Sequence, residues 1–133
     1  MQPPVERIII ATSEDLVTLR RAVRERAAAL GFGHTDQVRL VTAASELGRN
    51  VVLYAERGYA DLSTINRQDR RGMRVCFVDE GQGIDDIDLA LRDGYTSGRG
   101  LGKGLPGARR LVDEFAITSE IGRGTVVTIT KWL

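Results

Sequence analysis

The sequence predicts an α+β fold, a two-layer α/β sandwich in which a mixed, mostly antiparallel sheet carries helices on one face. Residues 67–72 and 122–124 are turn-forming segments that each separate two short apolar runs, as β-hairpins do. Two amphipathic helical segments follow one another before the first hairpin, and no clear β-α-β unit of a parallel sheet is present. The predicted element order is therefore β-α-α-β-β-(loop)-α-β-β.

The first strand and first helix are predicted from residue types and spacing. Residues 7–11 are short, apolar and β-branched, which favours a strand. Apolar residues then recur at helical spacing over about 15–30. Thr12 and Ser13 offer an N-cap, and the Gly31-Phe32-Gly33 segment is typical of a helix end.

The second helix is predicted over about 37–55, with Thr35 and Asp36 as its cap. Its Glu46 and Asn50 lie opposite the apolar stripe and are four residues apart, which stacks their side chains one turn above the other. The stripe itself comprises Leu40, Val41, Ala44, Leu47, Val51 and Ala55.

The remaining elements complete the order. They are strands at 60–67, 73–78, 115–119 and 125–131, a weak helix or loop at 85–92, a loop at 94–104 and a helix at 106–113. Pro106 suits the first position of that last helix. Three single residues receive structural interpretations: His34 in a loop, Cys76 buried in a strand, and Trp132 in packing.

Composition limits the possible functions. A chain of 133 residues is expected to form one domain, residues 1–133. Its net charge of +1 gives no general electrostatic basis for binding nucleic acid or an anionic membrane. One cysteine and one histidine exclude a disulfide framework and the common zinc sites. The sequence lacks a signal peptide and a membrane span, so a cytoplasmic protein is expected.

Two glycine clusters point to a nucleotide site. An apolar strand ends in Asp79, which Gly81 and Gly83 follow; the second cluster, residues 98–107, leads into a helix. Glycine suits places where backbone bends sharply or lies against a ligand, and backbone N–H groups at a helix start suit phosphate. Asp79 could accept a hydrogen bond from an exocyclic amine, or the segment could simply be a turn that ends a strand.

Residues 102–107 match the pattern G-x-G-x-x-G without the strand that a dinucleotide-binding fold requires before it. The P-loop pattern fails because Gly104 follows Lys103 in place of serine or threonine. Lys103 is either a phosphate contact or a loop residue, and Arg49 either a surface charge or a phosphate contact. Backbone N–H groups can still hold phosphate without either fold.

Glu46 and Asn50 have two interpretations. Polar residues opposite an apolar stripe usually form a solvated helix face. Alternatively, the Asn50 carbonyl suits Mg²⁺, and a carboxylate one turn away could deprotonate an attacking hydroxyl.

The three clusters occur in one order: Glu46-x-x-x-Asn50, Asp79-x-Gly81-x-Gly83 and Gly100-x-Gly102-x-Gly104, with Thr125 on the last hairpin. Together they resemble the motifs of the GHKL ATPase superfamily, whose fold is the Bergerat α/β sandwich. Within it the chain is most similar to the small serine kinases of bacterial partner-switching pathways, the RsbT-type switch kinases. Residues 45–50, 100–107, 113–115 and 131–133 carry that narrower resemblance.

The resemblance implies a role for each motif position. Asp79 would read the adenine amino group, Thr125 would support the base, Asn50 would hold Mg²⁺ and Glu46 would act as the base. Gly100, Leu101, Gly102, Lys103 and Gly104 would belong to a mobile lid over the phosphates of ATP, and the motif assigns Lys103 no role of its own.

The resemblance also implies an activity and partners. The chain would be an ATP- and Mg²⁺-dependent protein serine/threonine kinase that phosphorylates a STAS-domain antagonist of the RsbS or RsbR type. Once released, it would bind and activate a PP2C-type phosphatase of the RsbU type. The alternatives are an RsbW-like kinase that sequesters a sigma factor, and a non-catalytic module whose nucleotide shapes a partner surface.

Overall fold

The computed structural model describes residues 5–55, 57–81 and 104–133. Five strands form one sheet in the order β1-β2-β3-β5-β4, and every described pairing is antiparallel. The elements are β1 (Glu6–Ile10), α1 (Ser13–Leu30), α2 (His34–Tyr54), β2 (Gly58–Arg67), β3 (Arg70–Asp79), α3 (Leu105–Arg110), β4 (Glu114–Glu120) and β5 (Gly124–Trp132). The predicted fold class and element order are confirmed. The segments predicted at 85–92 and 94–103 lie outside the described residues.

The start of α1 agrees with the sequence prediction. Thr12 is the N-cap, and the Asp15 carboxylate accepts hydrogen bonds from the backbone N–H groups of Ala11 (2.8 Å) and Thr12 (3.0 Å). These bonds lower the pKa of Asp15 because they favour its ionised form. The helix ends at Gly31, whose φ of 100° is a left-handed conformation that glycine adopts without strain.

The predicted cap of α2 was wrong. The helix begins at His34, with Gly33 as its N-cap, so Asp36 already lies in the first turn and His34 is helical. The Gly33 carbonyl accepts the backbone N–H of Gln37 (3.0 Å), and the Gln37 side chain donates to the Phe32 carbonyl (2.8 Å). These bonds favour the earlier start, which places Asp36 near the positive end of the helix.

The buried face of α2 packs against α1 and the sheet. It comprises Leu40, Ala43, Ala44, Leu47, Gly48 and Val51, whereas the predicted members Val41 and Ala55 are only partly buried. A Cβ on Gly48 would lie 2.8 Å from Leu19 Cδ2 and 2.9 Å from Leu16 Cδ2. Residue 48 is therefore small because the two helices approach closely there.

One face of the sheet lies under the helices, and no helix of the described residues covers the other face. On β3, Met73, Val75 and Phe77 are buried, whereas the alternate residue Cys76 is only half-buried, so its predicted burial was wrong. Trp132 of β5 is 7 % exposed, which agrees with the packing role predicted for it.

Two acidic residues at the start of β4, Asp113 and Glu114, hold the end of β5 in place. Trp132 donates its backbone N–H to Asp113 Oδ2 (2.7 Å) and its indole N–H to Glu114 Oε2 (2.6 Å). The Glu114 carboxylate also accepts a hydrogen bond from Arg67 of β2 (3.2 Å), and the Arg67 guanidinium lies 4.8 Å from the Trp132 ring centroid. This cluster therefore joins three strands at the end of the sheet opposite Asp79.

Candidate functional site

One row of paired residues crosses all five strands at the end of the sheet where β3 terminates. Ile10 pairs with Gly58, Gly58 with Asp79, Asp79 with Thr125 and Thr125 with Ser119. Directly paired residues point to the same face of an antiparallel sheet. Ile10 is fully buried in the core shared with the helices, so this whole row faces the helix layer.

Asp79 is the acidic residue of that row, at the last position of β3. Its Oδ1 atom accepts hydrogen bonds from the backbone N–H groups of Gly81 (2.9 Å) and Thr125 (3.2 Å). Within the described ranges no group donates to Oδ2. One carboxylate oxygen is therefore fixed by the backbone, and the other is open to a ligand that carries a hydrogen-bond donor.

Burial acts against the charge on Asp79. The carboxyl group is partly buried, which raises its pKa, and the hydrogen bonds from Gly81 and Thr125 oppose this shift without cancelling it. Such a combination of burial and specific hydrogen bonds is frequent at functional sites.

Glycines allow close backbone contacts around Asp79. A Cβ on Gly58 would lie 2.5 Å from the Val78 carbonyl oxygen, and one on Gly124, whose φ is 114°, would collide with the Asp79 carbonyl group. Gly81 lies under the end of α2, since its Cβ would be 3.2 Å from the Tyr54 carbonyl oxygen. The backbones of Gly58 and Gly124 therefore pack closely against the Val78–Asp79 end of β3.

Thr125 and Ser119 extend the row beyond Asp79. Thr125 is buried, and its hydroxyl oxygen lies 2.8 Å from the Ser119 hydroxyl oxygen. Ser119 also donates a hydrogen bond to the Gly124 carbonyl (3.1 Å). Ser119 and Gly58 were not singled out from the sequence, because neither belongs to a motif and only the strand register brings them beside Asp79.

Glu46 and Asn50 lie on α2, which crosses the sheet toward the same end. Both side chains are partly buried, and Arg49 between them is exposed. A Cβ on Gly104, the N-cap of α3, would lie 2.8 Å from Glu46 Oε2. The structure thus brings the Glu46 carboxylate and the last residue of the glycine-rich loop together.

The other residues of the predicted site, Gly83, Gly100, Leu101, Gly102 and Lys103, lie outside the described residues. Within the ranges that are described, no group of three or more His, Cys, Asp and Glu side chains could hold a metal ion. None of the described helices is long and apolar enough to cross a membrane.

Comparison with known proteins gives the family of this chain. The family profile of the histidine kinase-like ATPase domain matches residues 9–131. The chain belongs to this family, which confirms the resemblance noted in the sequence and implies that the domain binds a nucleotide.

Individual relatives indicate which kind of protein within this family the chain resembles. The serine/threonine-protein kinase RsbT of Bacillus subtilis (strain 168) is 43 % identical over 124 residues, which are 93 % of each chain. This similarity confirms the prediction of a protein serine/threonine kinase of the partner-switching type. An anti-sigma F factor of Caldanaerobacter subterraneus is 29 % identical over 97 residues, which cover 69 % of this chain and 67 % of the relative. An anti-sigma F factor of Clostridium beijerinckii is 31 % identical over 97 residues, which cover 68 % of this chain and 66 % of the relative.

A solved structure supports the fold. The crystal structure of the RsbU and RsbW domains of a Mycobacterium tuberculosis protein superimposes with a TM-score of 0.69 at 24 % identity. The match covers 97 % of this chain and 32 % of that one. The likeness shows that the two chains share the fold.

Proposed function

We propose that this protein is an ATP- and Mg²⁺-dependent kinase that phosphorylates a serine or threonine of a STAS-domain antagonist in the cytoplasm. After this reaction it leaves the antagonist, then binds and activates a PP2C-type phosphatase. The observation that carries the proposal is the position of the Glu46 carboxylate against Gly104 in a histidine kinase-like ATPase domain. The similarity to RsbT over 93 % of the chain supports the choice of substrate class.

Asp79 binds the adenine base in this proposal. Its Oδ1 is occupied by the backbone N–H groups of Gly81 and Thr125, so Oδ2 accepts a hydrogen bond from the exocyclic amine. Thr125, on the neighbouring strand and the same face, supports the base through its hydroxyl. Gly81 and Gly83 let the flat base approach the backbone.

The glycine-rich segment binds the phosphates. Gly100, Leu101, Gly102, Lys103 and Gly104 form the proposed lid, where backbone N–H groups surround phosphate oxygens. Gly104 ties the end of this segment to α2 through its contact with Glu46. Arg49 is exposed beside Glu46 and Asn50, and we assign it a contact with phosphate.

Asn50 provides the metal ligand. Mg²⁺ keeps several water ligands and is bound by one or two protein oxygens together with substrate phosphates, so a single amide carbonyl fits its requirements. The ion neutralises charge on the phosphates when it is bound.

Glu46 acts as the general base. Its carboxylate lies at the junction of α2 and the glycine-rich segment, and it takes the proton of the attacking serine or threonine hydroxyl. Most of the rate enhancement comes from holding that hydroxyl and the terminal phosphate in line.

Phosphotransfer to a purified STAS-domain protein tests this proposal, with radiolabelled ATP and the variant Glu46→Gln. Loss of the base should lower the rate by about 10²–10⁴-fold while ADP affinity is kept. Glu25→Gln, an exposed glutamate on α1, is the matched control and should leave both unchanged. Transfer by Glu46→Gln at the native rate would show that Glu46 is not the base. Nucleotide binding without transfer by the native protein would favour the non-catalytic module.

An anti-sigma factor kinase is the second candidate, and the two anti-sigma F factor relatives favour it. Such a protein would bind a sigma factor with its nucleotide present. Co-purification with RNA polymerase sigma factors, compared with capture of a STAS-domain protein and a PP2C-type phosphatase, distinguishes the two functions. Capture of a sigma factor alone would replace the first proposal by the second.

A further inference from the structure

The sheet face that no described helix covers, here called the uncovered face, carries an apolar row near the end where β3 terminates. The odd-numbered residues of Met73–Phe77 face the core, so Val78 faces the opposite side. Val78 pairs with Tyr59 of β2 and with Val126 of β5, and Tyr59 also pairs with Ile9 of β1. Ile9 is 60 % exposed. Four neighbouring strands thus present apolar or aromatic side chains to solvent, as binding surfaces often do.

Smaller side chains in the middle of the uncovered face leave two hollows. Cys76, Thr128 and Ala116 form one row across β3, β5 and β4. They line a hollow of about 410 Å³, and a second hollow of about 450 Å³ lies beside Trp132. Arg74 lines both hollows. The face is therefore uneven enough to receive side chains of a partner.

The far end of the uncovered face is basic. The guanidinium groups of Arg67 and Arg70 lie 4.8 Å and 5.4 Å from the Trp132 ring centroid. Glu114 neutralises Arg67, with which it forms an ion pair (3.2 Å). Neither Arg70 nor Arg74 forms an ion pair with a carboxylate of the described residues. Two cations at this end are therefore available to acidic groups of a partner.

Arg74 is oriented between the two hollows by its own strand neighbour. Its Nε donates a hydrogen bond to Thr130 Oγ1 (3.3 Å), which leaves the N–H groups of both Nη atoms for a ligand. A guanidinium group forms strong, often bidentate hydrogen bonds with a carboxylate. Arg74 therefore suits an aspartate or glutamate of a protein that lies on this face.

We propose that the uncovered face is the surface that binds the PP2C-type phosphatase. The inference rests on the proposed function, which supplies this partner. A segment of the phosphatase lies along β3, with apolar side chains on the row from Ile9 to Val126 and carboxylates at Arg70 and Arg74. The row at Val78 and the row at Gly72 beside Trp132 are separated by about 20 Å of strand, which sets the length of that segment.

The geometry favours the phosphatase over the phosphorylated substrate. The side chains of Asp79 and Thr125 point toward the helix layer, and Glu46 belongs to α2 within that layer. The sheet separates all three from the uncovered face, so a hydroxyl group docked there does not reach Glu46. A protein bound to this face is therefore regulated without being phosphorylated, as proposed for the phosphatase.

The test compares binding to a purified PP2C-type phosphatase with phosphotransfer to a purified STAS-domain protein. The double variant Ile9→Ser/Arg74→Ala should bind the phosphatase about 100-fold more weakly, about tenfold for each lost anchor, and keep the native rate of phosphotransfer. Arg74→Ala alone should make phosphatase binding less sensitive to salt, because an ion pair is lost. The matched double variant Val38→Ser/Arg24→Ala, exposed on the helix layer, should bind the phosphatase as the native protein does.

If the Ile9→Ser/Arg74→Ala variant does not fold, Arg70→Glu takes its place, because Arg70 is exposed at the end of a hairpin. This charge reversal should weaken phosphatase binding by at least about tenfold, while phosphotransfer is unchanged.

Native-like phosphatase binding by the variants of the uncovered face would overturn the inference and leave the proposed function intact. Loss of phosphotransfer in these variants, alone or together with phosphatase binding, would also overturn it, since the face would then serve the substrate or the nucleotide site. A change from dimer to monomer in analytical ultracentrifugation would overturn it in favour of a second copy of this chain. Failure of the native protein to bind the phosphatase, with phosphotransfer retained, would overturn the inference and the phosphatase step of the proposed function.

Discussion

The Glu46 carboxylate occupies the space that a side chain on residue 104 would need. A Cβ on Gly104 would lie 2.8 Å from Glu46 Oε2 and 3.4 Å from Glu46 Cβ. Gly104 also has a φ of 87°, which residues other than glycine rarely adopt. Two independent constraints therefore require glycine where the loop enters α3.

We expect Gly104→Ala to displace the Glu46 carboxylate and lower phosphotransfer by about 100-fold, since small errors in placing a catalytic group have large effects. Gly107→Ala is the matched control in the same helix, because a Cβ there has nothing within 4 Å. It should keep native activity and stabilise the protein by about 0.5–1 kcal/mol. Equal phosphotransfer rates for the two variants would contradict the role of the Glu46 contact.

The substitution Asp79→Asn should change protein stability and nucleotide binding in opposite directions. The raised pKa of Asp79 means that the folded state binds this proton more tightly than the unfolded state, so native stability falls as pH rises from the ordinary value of 3.8 through the folded pKa. Asparagine keeps an acceptor for Gly81 and Thr125 and carries no charge. The variant should therefore be more stable than the native protein at neutral pH, and this difference should shrink in acid.

The same variant should lose the rise in melting temperature that ADP gives the native protein, because its amide can turn a donor toward the base amine. Thermal melts with and without ADP across the acidic range measure both effects. A variant that melts lower than the native protein at neutral pH, or that still responds to ADP, would show that Asp79 does not act as described.

Glu114→Gln should destabilise the protein in a pH-dependent way. The hydrogen bond from the Trp132 indole, helped by Arg67 and Arg74, lowers the pKa of Glu114. A lowered pKa stabilises the fold above the unfolded value, and this stabilisation is lost as pH falls through the folded pKa. The melting temperature of Glu114→Gln should thus be lower than native at neutral pH and converge in acid. Glu120→Gln, on the same strand and exposed, should follow the native curve throughout.

The variants Gly124→Ala and Gly122→Ala separate two effects of an added Cβ: strain from a positive φ, which both share, and collision with Asp79, which only Gly124→Ala has. Both glycines have positive φ, 114° and 83°, so each alanine should cost about 1 kcal/mol or more. A Cβ on Gly122 meets nothing within 4 Å, whereas one on Gly124 would collide with the Asp79 carbonyl group. Only Gly124→Ala should therefore also weaken ADP binding in a thermal-shift titration. Equal binding by both variants would mean that this collision is relieved without moving Asp79.

The local features of the fold were predictable from the sequence. Turn-forming segments and helical periodicity are short-range signals, so they gave the element order and the Thr12 cap. The start of α2 was predicted wrongly. Thr35 and Asp36 are more usual cap residues, but Gly33 is the N-cap in the structure. Backbone bonds decided that boundary.

The geometry of the candidate site could be predicted from the sequence only in part. Asp79, Thr125 and Glu46 stood out because they belong to spaced motifs, but their placement depends on strand register and helix packing. The hydrogen bond from Thr125 to Asp79 joins residues 46 positions apart. Ser119 carried no signal of its own, since a serine in a strand is common and only the pairing with Thr125 places it in the row that contains Asp79.

The row of paired residues from Ile10 to Ser119 determines when, during folding, the molecule can begin to bind nucleotide. Its members come from all five strands, and β5, the last strand in the chain, lies between β3 and β4. Asp79 gains the Thr125 N–H only when β5 has paired, so the proposed base site is incomplete in a chain whose β5 has not yet joined the sheet. Nucleotide can then bind tightly only to a molecule whose sheet is already assembled, and it slows unfolding without speeding the early steps of folding.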